Sequence, residues 1–195
     1  MATHHPFERL ATHDPKSGDL NIVVDTPKGS RNKFVLDEDL GLFRLGGVLP
    51  AGAVFPYDFG FVPRTLGGDG DPLDVLVLMD EPAFVGCLIS ARLVGVIEAD
   101  QTEGGETTRN DRLIAVSTRS HNHHDIEELD QFNANLVAEV EHFFVSYNLA
   151  KGKEFKPLGR HGAERARRVL AEGADRYEAE HAGKSPDAPR PARRP

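Results

Sequence analysis

The apolar positions in the first two thirds of the chain come in short runs that are typical of β-strands. In chain order these runs predict strands at residues 23–25, 33–36, 74–79, 86–99 and 112–117. The run at 86–99 contains a single Gly95, which predicts a bend or a β-bulge. Residues 100–110 are hydrophilic and predict a loop.

The period of the apolar positions changes after the last of these strands. Between residues 129 and 147 they recur at three- and four-residue steps, which predicts an amphipathic helix. Asp125 and Glu128 predict a capping box near its start, and residues 162–181 predict a second, weaker helix. Strands followed by helices favour an α+β fold that is mainly β, a small β-barrel with helices packed on its outside.

Length and composition are those of one soluble domain. The 195 residues predict a single domain over 1–181 and a disordered Pro- and Arg-rich tail over 182–195. No apolar run approaches the roughly 20 residues of a membrane span, and the first residues lack the apolar core of a signal peptide. The single cysteine, Cys87, excludes an internal disulfide framework, so we expect a cytoplasmic protein without a membrane partner.

The charge pattern excludes one class of partner. The formal net charge is −8, and the acidic excess lies in residues 1–150, whereas residues 151–195 are net basic. Contacts to nucleic-acid phosphates need clustered Lys and Arg, so we expect no nucleic-acid partner. The acidic residues 1–150 are better suited to binding divalent cations than to binding nucleic acid.

The stretch "LGGDGDPLDVLVL" carries the most distinctive chemistry in the chain. It places Asp69, Asp71 and Asp74 among glycines and a proline directly before an apolar strand. Converging carboxylates repel one another unless cations neutralise them, and Mg²⁺ is commonly held by a few carboxylates with water and phosphate. An exposed acidic turn needs no metal, so these residues alone leave both interpretations open. The calcium loop of EF-hands is excluded, because Asp74 stands where its glycine belongs.

The complete pattern "DGDPLDVLVL" resembles the signature of soluble inorganic pyrophosphatases. Further blocks are similar to that family in the same order, and together they extend from about residue 21 to residue 156: "FPYDFGFVPRTL", "GCLISARLVGVIEA", "NDRLIAV", "HFFVSYN" and "KGKEFK". The resemblance implies a five-stranded OB-like β-barrel and hydrolysis of pyrophosphate. It also implies several Mg²⁺ ions, with Mn²⁺ as a possible substitute, and a homo-oligomer.

The resemblance also implies roles for individual residues. Asp69, Asp74 and Asp25 match acidic residues at the metal sites, and Asp71 matches a metal-linked carboxylate that helps to activate the attacking water. Lys33 and Tyr147 match residues that contact the substrate.

Several positions depart from the family pattern. Val35 and Phe59 stand where a Glu and a Tyr are usual, and Gly47 stands where an Arg is expected, so Arg44 is the candidate for that guanidinium. Arg112 retains a substrate-binding cation, while Asn110 replaces a ligand carboxylate.

For two further roles, the sequence leaves two candidate residues each. The next acidic metal ligand is Glu103, with Asp100 as the alternative, because the loop length leaves its register open. Asn148 follows Tyr147 where a Lys is usual, so Lys153 or Lys151 has to supply that cation.

These departures leave two other functions open. A non-catalytic module could use the same acidic loop to bind metal or a phosphorylated ligand. Alternatively, the enzyme could hydrolyse a different phosphoanhydride, such as a nucleotide. Outside this pattern, the "HNHHD" loop is expected to be a polar loop rather than a Zn²⁺ or Ni²⁺ site.

Overall fold

The structure, a computed structural model, describes residues 7, 10–38 and 40–182. The secondary structure of these residues consists mainly of β1 (Leu20–Thr26), β2 (Asn32–Asp37), β3 (Leu42–Val48), β4 (Asp58–Phe61), β5 (Asp74–Leu78), β6 (Leu88–Glu103), β7 (Glu106–Arg109), β8 (Arg112–Ser117), α1 (Ala134–Leu149), β9 (Glu154–Gly162) and α2 (Ala163–His181). The strands pair in the order β1-β4-β5-β8-β6, and β6 returns to β1. This closes a five-stranded barrel, as expected for an OB-like fold. Strands β5 and β8 are parallel and the other neighbours are antiparallel.

The long strand β6 links the barrel to its outer strands. It pairs with β1 and β8 in the barrel and with β7 and β9 outside it. The pairing register shifts between Leu93 and Gly95, so the predicted bulge is confirmed. A Cβ atom at Gly95 would lie 2.7 Å from the carbonyl oxygen of His161, which explains why the chain needs glycine there.

The loop predicted over residues 100–110 is wrong. Strand β6 continues to Glu103 and turns back into β7 through Gly104 and Gly105, both of which have positive φ. The hydrophilic composition misled the prediction because the residues of this hairpin are polar and only partly buried or exposed.

Strands β2 and β3 form a separate two-stranded sheet beside the barrel. In its register Lys33 lies opposite Gly47, and Val35 lies opposite Arg44. A Cβ atom at Gly46 would lie 2.9 Å from a methyl carbon of Val35, so the two strands pack closely at this point.

Helix α1 begins later than the sequence pattern predicts. Residues Leu129–Gln131 form a 3₁₀ turn, and α1 begins at Ala134 because the side chain of Asn133 accepts a hydrogen bond from the backbone of Asn135. The predicted Asp125–Glu128 capping box is also wrong, since Glu128 and Gln131 form that motif around the 3₁₀ turn.

The second helix, α2, agrees with the predicted range. Its first backbone N–H, that of Ala163, donates to Oε2 of Glu128 at 2.7 Å. A carboxylate at a helix N-terminus is favoured by the helix dipole, so Glu128 ties the start of α2 to the 3₁₀ turn.

The two helices bury different sides of the barrel. From α1, Val137, Val140 and Phe144 pack against one core cluster, and from α2, Ala166, Val169 and Leu170 pack against another that contains Leu73. The described helices include none long and apolar enough to cross a membrane. The predicted tail lies outside the described residues from position 183 onward.

Candidate active site

The segment of residues 66–74, called here the aspartate loop, leads from the end of β4 into β5. Gly70 has a φ of +84° and Gly67 donates to the carbonyl of Asp71 at 2.7 Å, so the glycines allow a tight reversal. The backbone N–H of Asp71 donates to Oδ1 of Asp69 at 3.2 Å. Asp74 follows as the first residue of β5.

The aspartate loop concentrates negative charge. Desolvation by the surrounding protein, followed by the charges of Asp74 and Asp71, raises the pKa of Asp69 to about 6. Asp69 as a residue is exposed, so its carboxyl lies at the surface of the protein although one side of it is shielded from water. The three carboxylates therefore act on each other electrostatically, as the sequence predicted.

Asp74 is paired with a buried arginine. Nη1 of Arg112, the first residue of β8, lies 2.7 Å from Oδ2 of Asp74. Arg112 is 4% exposed, and its guanidinium lies 5.0 and 5.3 Å from the ring centroids of Phe144 and Phe155. The parallel pairing of β5 with β8 places the two side chains side by side.

Asp25 and Lys33 form a second buried ion pair. Nζ of Lys33 donates to Oδ2 of Asp25 at 2.6 Å and lies 4.3 Å from the ring centroid of Phe59. Burial raises the pKa of Asp25, and the ammonium of Lys33 acts in the opposite direction. The charge of Asp74 also raises it, so Asp25 and Asp74 belong to one electrostatic neighbourhood.

Tyr147 extends this neighbourhood from α1. Burial, and then the charge of Asp74, raises the pKa of Tyr147 to about 12. Its hydroxyl lies 3.4 Å from Nζ of Lys151, whose pKa is lowered by burial and then by the like charges of Lys153 and Lys33. A phenol that stays protonated beside an ammonium offers two donors to an anion.

The structure distinguishes the two lysines that the sequence left open. Lys153 pairs with Oε2 of Glu103 at 2.6 Å, while Lys151 lies at the hydroxyl of Tyr147. Asn148 is 2% exposed and donates to the carbonyl of Phe144 inside α1, so it takes no part in this surface.

Arg44 is not brought to the aspartate loop by any described contact. Its Nη1 lies 2.9 Å from Oδ2 of Asp37, and its side chain is 66% exposed. It shares the face of the hairpin with Val35, the residue opposite it in the register.

Asn110 is joined to two neighbours. Its Nδ2 donates to Oε1 of Gln101 at 3.2 Å, and its Oδ1 accepts from Nη1 of Arg112. Sequence reasoning missed Gln101, because the pairing of β6 with β7, which brings it near Asn110, was predicted to be a loop. Asp111 accepts from the backbone N–H of Ala99 and from Nε of Arg109, and it lines the same small cavity as Asn110.

The donor set fits a hard divalent cation. A polar cavity of about 20 Å³ is lined in part by Asp69, Asp74 and Asn110. Among the described residues, Oδ1 of Asp25 is one of the buried side-chain atoms that lack a hydrogen-bond partner. No three His, Cys or acidic side chains of the described segments form a complete metal site, but Mg²⁺ usually keeps several waters and needs only one or two carboxylates.

The structure combines a closed OB-like barrel with neighbouring carboxylates, the cations of Arg112 and Lys33 and the phenol of Tyr147. These features define a class of proteins that bind metal ions and multiply charged anions. Residues 22–178 match the family model described as inorganic pyrophosphatase. The chain is 37% identical to the inorganic pyrophosphatase of Synechocystis over 74% of this chain and 83% of the relative. It is 36% identical to soluble inorganic pyrophosphatase 2 of Chlamydomonas reinhardtii over 89% and 88%.

Solved structures agree with this similarity. The inorganic pyrophosphatase of Thermus thermophilus has a TM-score of 0.80 at 30% identity, covering 88% of this chain and 98% of that one. That of Helicobacter pylori has a TM-score of 0.78 at 32% identity, covering 88% and 99%. The chain belongs to the inorganic pyrophosphatase family, whose members are generally metal-dependent.

Proposed function

We propose that this chain hydrolyses inorganic pyrophosphate to two phosphates in a reaction that depends on Mg²⁺. The observation that carries the proposal is the aspartate loop in a chain of this family. Its Asp74 pairs with the buried Arg112 and shares an electrostatic neighbourhood with the Lys33–Asp25 pair. Water adds to one phosphorus atom, the bridging P–O bond breaks, and the proton of the water passes to a base. The chain is thereby a hydrolase of a phosphoanhydride, an inorganic diphosphatase.

Carboxylate and amide oxygens of the site are proposed to hold the metal. When bound, Mg²⁺ neutralises phosphate charge and makes a bound water more acidic. The proposed ligand residues are Asp25, Asp69, Asp71, Asp74, Glu103 and Asn110. Asp71 is also the proposed base, because it matches the water-activating carboxylate of the family and is exposed to solvent.

Cationic and phenolic donors are proposed to bind the phosphates. Lys33 and Arg112 would stabilise the negative charge that develops on the leaving phosphate. Tyr147 stays protonated at neutral pH and donates from the same surface. Lys153 and Arg44 complete the set predicted from sequence, and we add Lys151 because it contacts the hydroxyl of Tyr147.

The altered positions reduce the number of polar contacts. Phe59 is a buried ring under Lys33 and offers no hydroxyl, and Val35 packs over Gly46 and offers no carboxylate. These changes motivate two other candidates, a metal-binding module without turnover and a hydrolase of another phosphoanhydride.

Phosphate release from pyrophosphate tests the proposal. We expect phosphate release with Mg²⁺ and none when a chelator removes the metal. Without a cation to neutralise them, the carboxylates repel the anionic substrate. ATP added as a competitor should inhibit release only weakly if pyrophosphate is the substrate. Absence of release at any Mg²⁺ or Mn²⁺ concentration contradicts the proposal, and melting stabilised by metal without turnover would then favour the binding module.

The raised pKa of Asp69 predicts a pH dependence of metal binding. The folded state holds a proton on Asp69 that the unfolded state has released between the ordinary pKa of 3.8 and about 6. The contribution of Asp69 to the stability of the metal-free protein is therefore lost as pH rises through that window. We expect the increase in melting temperature caused by Mg²⁺ to be larger at about pH 7.5 than at about pH 5, because protons compete with the metal.

Differential scanning fluorimetry with Mg²⁺ or a chelator measures this effect. Asp69→Asn should reduce the pH dependence of the Mg²⁺-induced increase in melting temperature. Asp125→Asn, at an exposed aspartate outside the site, should retain that pH dependence. An equal Mg²⁺ effect at both pH values would contradict this role of Asp69.

Assembly and location are further parts of the proposal. We propose a homo-oligomer, in keeping with exposed apolar side chains on the β2–β3 hairpin such as Leu42, Leu45 and Val48. A cytoplasmic location and a single functional domain over residues 1–181 are likewise proposals.

A further inference from the structure

The described hydrogen bonds between the aspartate loop and the barrel lie at the two ends of the loop. At its entrance, Thr65 Oγ1 donates to the carbonyl of Val62 and accepts from the backbone N–H of Leu73. Between these anchors, the hydrogen bonds of its glycines run mainly within the loop. Contacts from outside the barrel can therefore contribute to the placement of the loop between Leu66 and Leu73.

Helix α2 makes direct contact with both ends of the aspartate loop. The backbone N–H of Leu66 donates to the carbonyl of Gly173 at 2.9 Å. One turn further along α2, Nε of Arg176 donates to the carbonyl of Leu66 at 2.9 Å. Both backbone groups of Leu66 are thus held by one helix.

Gly173 is the point of closest approach. A Cβ atom at this position would lie 2.5 Å from Cδ1 of Leu73 and 3.3 Å from the carbonyl oxygen of Leu66. Glycine in a helix interior is unfavourable compared with alanine, so its presence here is explained by the need for room. The side chain of Leu73, which is 4% exposed, fills that room.

Helix α2 is itself fixed to the barrel. Nε of Arg165 lies 2.7 Å from Oε1 of Glu98 on β6, and Ala166, Val169 and Leu170 are buried in the core. The helix can therefore act as a rigid support, and Arg176 lines the same small cavity as Asp69 and Asp74.

We propose that Gly173 and Arg176 are positioning residues, which hold the aspartate loop in the geometry that binds Mg²⁺. They act through the backbone of Leu66 and the side chain of Leu73, and neither is a proposed metal ligand. This inference rests on the proposed function, since it assigns the support of the proposed metal site to α2.

Gly173→Ala tests the steric part of the proposal. The added methyl group must displace Leu73 or Leu66, so we expect the dissociation constant for Mg²⁺ alone to rise about tenfold, as for outer-shell partners of metal sites. The Mg²⁺ concentration for half-maximal hydrolysis should rise in parallel, with kcat at saturating Mg²⁺ much less affected. The metal-free melting temperature should fall only modestly, because alanine favours the helix while its methyl group crowds the buried Leu73.

A compensating variant separates this effect from a general loss of packing. Leu73→Val removes the atom that the new methyl would meet, so Gly173→Ala with Leu73→Val should bind Mg²⁺ more tightly than Gly173→Ala alone. Unchanged Mg²⁺ affinity in Gly173→Ala, or failure of the double variant to recover, would overturn the steric role of Gly173.

Arg176→Gln tests the hydrogen bond to Leu66. If Arg176 acted only through its charge, its loss near the carboxylates would tighten Mg²⁺ binding. If it positions the loop, its loss would weaken Mg²⁺ binding, so the direction of the change in affinity distinguishes the two roles. We expect weaker binding for Arg176→Gln and no change for Arg167→Gln, an exposed arginine of the same helix. Equal or tighter binding in Arg176→Gln would overturn its role.

Isothermal titration calorimetry with Mg²⁺ and no substrate measures all of these variants. The wild-type chain also tells the two proposals apart. A wild-type chain that neither binds Mg²⁺ nor releases phosphate contradicts the proposed function. A functional wild type with unaffected variants contradicts only the role of α2.

Discussion

Asp71→Asn is expected to lower kcat for pyrophosphate hydrolysis by about 100-fold or more, because it removes the proposed base from the attacking water. Asp71 is exposed, and its hydrogen bonds with Asp69 and Gly67 use backbone atoms that the substitution retains. The fold should therefore persist. Loss of a neighbouring negative charge should also lower the pKa of Asp69 toward its usual value.

Phosphate release at saturating Mg²⁺ measures the change in kcat, and the melting temperature in chelator shows that the variant is folded. Asp125→Asn is the matched control, since it removes an exposed carboxylate outside the site and should retain full activity. A kcat for Asp71→Asn within about twofold of wild type would exclude Asp71 as the base.

Lys33→Met is expected to reduce both activity and stability. It removes a phosphate-binding cation, for which we expect a loss of about 100-fold in kcat. It also leaves Asp25 as a buried carboxylate without its 2.6 Å partner, and breaking a buried ion pair in this way costs about 3 kcal/mol in the free energy of unfolding.

The pH dependence of this loss follows from Asp25. Its pKa is already raised by burial, and removal of Lys33 takes away the main opposing charge. A group whose folded pKa is raised destabilises the folded state when it ionises, so stability of Lys33→Met should recover as pH falls through that pKa. Denaturant unfolding at a series of pH values measures the recovery.

A double variant separates structure from catalysis. Lys33→Met with Asp25→Asn removes the unpaired charge, so it should recover much of the stability at neutral pH without recovering kcat. Lys16→Met, at an exposed lysine, is the control for the loss of one positive charge. Recovery of activity in the double variant would show that Lys33 serves only to neutralise Asp25.

Much of the fold followed from the apolar pattern. Four of the five barrel strands (β1, β5, β6 and β8), the bulge at Gly95 and α2 were predicted, since each depends on local periodicity or on one residue type. Strands β4 and β9 were not. The errors, at residues 100–110 and at the start of α1, have local causes. An exposed hairpin has little apolar signal, and Leu129 is buried from a 3₁₀ turn as effectively as from a helix.

The candidate site, too, was predictable from the sequence only in part. The spacing of Asp69, Asp71 and Asp74 predicted concentrated negative charge, because three carboxylates within six residues of a tight loop lie close enough to repel one another. The choice of Lys151 to contact Tyr147 was not predictable. It depends on where α1 ends, because Lys151 and Lys153 lie in the turn that follows the helix.

By itself, the sequence determined the barrel, the acidic loop and the family to which the chain belongs. Only the tertiary structure decided which cation neutralises which carboxylate: Arg112 for Asp74 and Lys33 for Asp25. It also decided that α2, a hundred residues further along the chain, holds the loop through Leu66. The physical reason is that apolar period and turn chemistry act between near neighbours, whereas ion pairs and close backbone contacts arise from strands and helices that meet only when the barrel closes.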